Sequence, residues 1–203
     1  MKQAFGPERQ GVFMRVFSIS AILCAAVVTA SGCMSSQNSV RLLYNPEQQA
    51  VVSATAPRVA VVRFVDARNR SDIGVKRDGS PLAPASSVVD WVSGSVADAL
   101  SRRGAMVSVV YDRRQAEAGN PDRIIEGAID EVWLREKSMN SYEAVVRIQA
   151  RVEGGASPAV TRRFVSKGEK TGIPGSRLAE ETLSSTLADV LDNFCSSTAG
   201  SLR

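Results

Sequence analysis

From Tyr142 to Val152 every even-numbered residue is apolar (Tyr142, Ala144, Val146, Ile148, Ala150, Val152), while Glu143, Arg147, Gln149 and Arg151 stand between them and Glu153 follows. A period of two is the geometry of a strand whose faces meet different surroundings, one a core and the other water. That pattern demands a sheet and something to cover one side of it. Ile124 to Leu134 precedes it across a polar break at Lys137 to Ser141, and Val160 to Ser166 follows after Gly154 to Pro158, so three antiparallel strands are expected in a meander.

The remaining elements supply the cover. Arg58 to Val65 is a β-branched run with few polar positions, which suits a central strand buried on both faces. Ser87 with Asp90 three residues later approaches a capping box, and Val89, Val92, Val96 and Leu100 form the apolar stripe of a helix stopped by Arg102-Arg103-Gly104. Met106 to Tyr111 reads as a strand and Asp112 to Asp122 as a polar connection. A last helix is expected from about Arg177 to Ser196, with Ser176 as its cap and Leu183, Leu187, Val190, Leu191 and Phe194 as its buried stripe. The expectation is an α/β (α+β) two-layer sandwich: a mixed, mostly antiparallel sheet with two helices on one face and the other face partly open.

The N-terminus has a different character. Lys2, Arg9 and Arg15 precede an uncharged run from Val16 to Ala30, the order of a secretory leader, and the run is short of the roughly 20 residues a membrane span needs. Ala30-Ser31-Gly32-Cys33 resembles the lipobox of bacterial lipoproteins, in which the cysteine is acylated and the chain cut before it. The alternatives are a plain secreted protein or an uncleaved anchor. Residues 1–32 are thus expected to be a leader, with 1–13 a misplaced start ahead of Met14. Residues 33–57 would be the lipidated Cys33 and a tether, within which Val40 to Tyr44 could add a short strand, and 58–200 a single domain.

Chemistry is excluded more readily than assigned. The chain contains no histidine, which removes the commonest general base and metal ligand. No Ser-x-x-Lys, Gly-x-Ser-x-Gly or Gly-x-Gly-x-x-Gly occurs. Net charge is only +4, half of it in the leader, so no nucleic-acid partner is expected. Once the leader leaves with Cys24 and Cys33 carries lipid, Cys195 has no partner for an internal disulfide, and it reads as a small buried residue. Asp66, Asp72 and Asp78 share a loop with Arg68, Arg70, Lys76 and Arg77, which would repel a calcium ion. Glu126 and Asp130 read as exposed strand positions, and the doublets Arg102-Arg103, Arg113-Arg114 and Arg162-Arg163 as solubility and helix-end charges. Trp91, off the helix stripe, packs on the sheet or marks a partner face. No catalytic residue, metal site or cofactor is expected.

Asp66-Ala67-Arg68-Asn69 leads to Val75-Lys76-Arg77-Asp78-Gly79, and the capped helix closes on Ser101-Arg102-Arg103-Gly104. In these words, and in the order of leader, helix, meander and terminal helix, the sequence resembles the YajG family of bacterial lipoproteins. The resemblance implies an outer-membrane lipoprotein on the periplasmic face, similar in layout to auxiliary lipoproteins of envelope transport systems. Met34 rather than aspartate after Cys33 fits that location. The expected function is a non-catalytic envelope module, attached to the membrane through its N-terminal lipid and binding a protein partner through Arg68, Arg70, Lys76 and Arg77, since charged loops on rigid scaffolds are common binding surfaces. The alternative is a lipid-handling auxiliary subunit, which requires a sizeable apolar pocket.

Overall fold

The computed structural model describes residues 38–44, 56–154, 157–173 and 177–198. The leader, Cys33, Met34 and Ser176 lie outside these residues. Nine strands and three helices follow in order: β1 (Ser39–Val40), β2 (Arg58–Val62), β3 (Val65–Asp66), β4 (Gly74–Val75), β5 (Pro81–Pro84), α1 (Val88–Arg102), β6 (Met106–Val110), α2 (Arg113–Ala118), β7 (Arg123–Ser138), β8 (Ser141–Gly154), β9 (Ser157–Thr171) and α3 (Leu178–Thr198).

The long meander forms as its alternation requires. β7, β8 and β9 pair antiparallel, with Ala144, Val146, Ile148 and Ala150 buried on the face that meets α3. Ser87 caps α1 by accepting from the Asp90 amide at 3.2 Å, and Gly104 ends the turn beyond it at φ 88°. Val92, Val96 and Leu100 of α1 and Leu183, Leu187, Val190, Leu191 and Phe194 of α3 enter one common core with the sheet. Cys195 is fully buried in it.

The sandwich expectation needs correction. The sheet is curled and partly parallel, because the second edge of β7 is shared in turn by β2, β3 and β4, all parallel to it. A third helix, α2, occupies the stretch expected to be a polar connection. Asp112 caps it, accepting from the Gln115 amide at 2.9 Å, and Ala116 covers Ala60 and Val62 of β2. Val59 and Val61 point the other way, into the main core. β2 is therefore buried on both faces, as its composition suggests, and the layer on its far side is α2.

The expected strand from Arg58 to Val65 breaks at Arg63 and Phe64. The Phe64 amide donates to Ser93 Oγ at 3.0 Å, and its ring lies over Gly127, where any Cβ would collide with it. The loop from Asp66 to Pro84 contains the β4–β5 hairpin, turned at Gly79 with φ 84°. Within the expected tether, β1 pairs with β5, Val40 is buried, and the Trp91 indole donates to the Leu43 carbonyl at 3.0 Å. Trp91 is thus a packing residue that fastens residues 38–44 to the domain.

Candidate functional site

The four cations expected to bind a partner are distributed along the β3 to β5 region, and their environments differ. Arg68 is committed to Asp66, its guanidinium meeting the carboxylate at 2.8 and 2.9 Å with the side chain 5% exposed. That pairing holds the Asp66 carboxyl below its ordinary range, chiefly through the hydrogen bonds. Arg70 lies 4.4 Å from the centroid of the Trp133 ring, a cation–π contact. Lys76 and Arg77 sit at the hairpin turn, where the Arg77 amide donates to Glu136 at 3.2 Å and the Arg77 side chain is exposed. Cys33 lies outside the described residues.

The other singled-out charges are engaged by the fold. Arg113 binds Glu117 at 2.8 Å, Glu126 at 3.2 Å and Glu153 at 2.8 Å, which ties α2 to β7 and β8. These hydrogen bonds raise the Arg113 pKa further and depress that of Glu153. Asp130 stands at a bulge in β7 and meets Arg163 at 3.1 Å, so Glu126 and Asp130 serve different partners and are half-buried rather than exposed. Arg102 pairs with Asp98 at 2.8 Å, and Arg103 with Asp192 at 3.0 Å. Among the described residues no group of three or more His, Cys, Asp and Glu side chains is placed to hold a metal ion.

An open groove of about 780 Å³ lies between α1, α3 and the segment at Leu43 and Tyr44. Its shape follows from residue size. Ser184, Ser185, Ala188 and Ser196 of α3 face Ala99 of α1, and these small side chains leave a trough where longer ones would close the gap. The rim carries both signs of charge: Arg102, Arg103, Lys170 and Arg177 against Glu180, Glu181 and Asp192. Tyr44 lies at one wall. Burial first, then the negative charges of Asp98 and Asp192, push its phenol above the ordinary value, so at neutral pH it keeps its proton and can both donate and accept. The arrangement offers hydrogen bonds and charge pairing to an extended polar ligand. Nothing in the sequence pattern marks it, because its walls come from three segments far apart in the chain.

A second, apolar pocket lies between β8, β9 and the C-terminal turn of α3, lined by Val152, Phe164, Phe194 and Thr198 among others, and it holds about 40 Å³. No helix among the described residues is long and apolar enough to cross a membrane.

No protein-family model matches the chain, and no curated protein matches it. Several solved structures do. Protein XCC0632 from Xanthomonas campestris, of family DUF330, superimposes with a TM-score of 0.50 and 16% identity, covering 78% of this chain and 91% of that one. PelC from Paraburkholderia phytofirmans, a dodecamer, has a TM-score of 0.44 and 18% identity over 70% of this chain and 92% of its own. Lipoprotein GNA1162 from Neisseria meningitidis has a TM-score of 0.38 and 10% identity over 71% of this chain and 99% of its own. The similarity to XCC0632, at 16% identity, is one of fold.

Proposed function

We propose that the chain is a non-catalytic bacterial lipoprotein, acylated at Cys33 and facing the periplasm from the outer membrane, whose domain holds a segment of an envelope protein partner in the groove beside Tyr44. The observation that carries this reading is the groove itself, a trough of about 780 Å³ floored by small side chains with charges of both signs at its rim. Such a lining matches a polypeptide segment better than an apolar molecule. The lipobox-like Ala30-Ser31-Gly32-Cys33 and the YajG-like words support the anchor. The lipid-handling alternative draws less support, because the apolar pocket of about 40 Å³ is close to the volume one water occupies.

The anchor and the fold bear on each other through chain length. Asn38, the first described residue, follows Cys33 by five residues. A tether from Cys33 would then end at Asn38 rather than at Pro57, because residues 38–44 already pack in the domain. Arg70, Lys76 and Arg77 are retained as a second proposed contact to the same partner.

Two measurements test this. The intact mass of the protein from native membranes should equal the chain cut before Cys33 plus acyl groups, and an unacylated mass overturns the anchor. A photo-crosslinking residue at Ser184 or Ser185 in the full chain should yield an adduct with an envelope protein, and Ala188→Trp, which fills the trough, should abolish it while the circular dichroism spectrum is kept. An adduct indifferent to Ala188→Trp overturns the groove as the binding site.

A further inference from the structure

Beyond its proposed partner, the domain carries an open edge suited to a copy of itself. Among the described residues β6 pairs only with β2, so no strand of the sheet takes up its outer side. The parallel ladder decides which backbone groups that side presents. The Met106 amide donates to the Pro57 carbonyl at 2.9 Å, and the Val110 carbonyl accepts from the Arg63 amide at 2.8 Å. Even-numbered residues of β6 therefore turn toward β2, and Val107 and Val109 turn both amides and both carbonyls outward.

The ends of this window are closed from within the chain. The Ala105 amide donates to the Leu100 carbonyl at 3.2 Å, and the Tyr111 amide donates to Gln115 Oε1 at 3.1 Å. What remains open is symmetric about Ser108. An antiparallel strand of the same sequence, related by a two-fold axis at Ser108, places Val107 opposite Val109 of the second copy and Val109 opposite its Val107. Every outward amide and carbonyl then finds a partner, and none is left over.

Side chains agree with the backbone. Met106 and Val109 are each 51% exposed on a strand without a charged residue, so two copies approach without repulsion and cover apolar surface. The opposite edge of the sheet, β9, carries Arg162, Arg163, Lys167 and Lys170, the kind of charge that keeps edge strands apart. β6 has no such protection.

We infer that β6 is a self-association edge: two copies of this chain join antiparallel through Val107 and Val109, with Ser108 on the two-fold axis, in a continuous sheet. An isologous contact of this kind closes on itself and does not propagate.

The register makes the test specific. Ser108 would face its own mate as a non-hydrogen-bonded pair, with Cα atoms about 4.5 Å apart, inside the ~4.4–6.8 Å range of a disulfide. Met106 would lie four strand steps from its mate, about 14 Å. Ser108→Cys and Met106→Cys are introduced separately into the full chain, oxidised in native membranes and run on non-reducing gels beside the parent. The expected result is a covalent homodimer from Ser108→Cys, absent from Met106→Cys and from the parent, and lost when Val109→Lys is added. No homodimer from Ser108→Cys, equal bands from both variants, or a band that survives Val109→Lys overturns the proposal; a crosslink from Ser108→Cys to a different protein assigns the edge to that protein. The groove adducts described above should persist in Val109→Lys, so the two proposals fail separately.

Discussion

Along one edge of β7 the pairing with β8 runs from Ile124↔Glu153 to Ser138↔Ser141, interrupted only by register shifts at Ile129/Glu131 and Glu136/Ser138. Along the other edge, β2, β3 and β4 take turns, none longer than five residues and all parallel. The first edge is closed by a short turn at Met139 and Asn140, so its register is set locally. The second has no local device. Its short strands are held by tertiary fits: the Phe64 ring over Gly127, the Phe64 amide on Ser93, and Gly74 against the Leu134 carbonyl, where a Cβ has no room. One strand thus carries a locally encoded edge and an edge encoded by packing.

The sharpest way to break the comparison is to remove a packing fit. Phe64→Ala should cost about 3–5 kcal/mol by urea denaturation, more than truncations at exposed positions of β8, and a loss comparable to those would mean that the second edge needs no such anchor. Ser93→Ala leaves the buried Phe64 amide without an acceptor and should cost ~1–3 kcal/mol, with faster hydrogen exchange at Phe64 as the local signature. Ile148→Val, in the middle of the antiparallel edge, should cost ~0.5–1.5 kcal/mol and act mainly by slowing folding, because local pairings form early. Phe64→Ala should act mainly by speeding unfolding. The reverse assignment of rates would refute the order of assembly.

The smallest effect lies in pH. Glu153, held by Arg113, and Glu169, held by Lys137 and Ser141, both titrate below the ordinary glutamate value of 4.5 in the folded chain. A depressed folded pKa contributes stability above the unfolded value and loses it as pH falls through the folded one. The melting temperature should therefore drop below about pH 4.5, and Arg113→Gln should make that decline shallower. Glu169 is exposed and Glu153 half-buried, and both remain open enough to solvent that added salt should weaken the effect. An unchanged acid limb in Arg113→Gln would show that the Arg113 cluster does not stabilise the fold.

Periodicity over ten or more residues was legible wherever it occurred. The meander, α1 and α3 follow from side-chain spacing, and the two-sided burial of β2 from its β-branched composition. α2 was not legible, because its six residues bury only Ala116 and so present no stripe. The β4–β5 hairpin and β1 were hidden for the same reason: two- to four-residue strands have too few alternations to stand out from a polar loop. The candidate cations were visible as charges, but the aromatic ring that Arg70 meets belongs to Trp133, which only the fold brings to it.

The sequence by itself therefore determined the long antiparallel strands and the two long helices that cover them, since each rests on a repeat readable within one segment. Only the tertiary structure decided that residues 38–44 belong to the domain, that Arg70 lies against Trp133, and that the walls of the groove meet. Those outcomes join residues far apart in the chain, and a contact between distant segments is selected by the packing of the whole core, which no local pattern records.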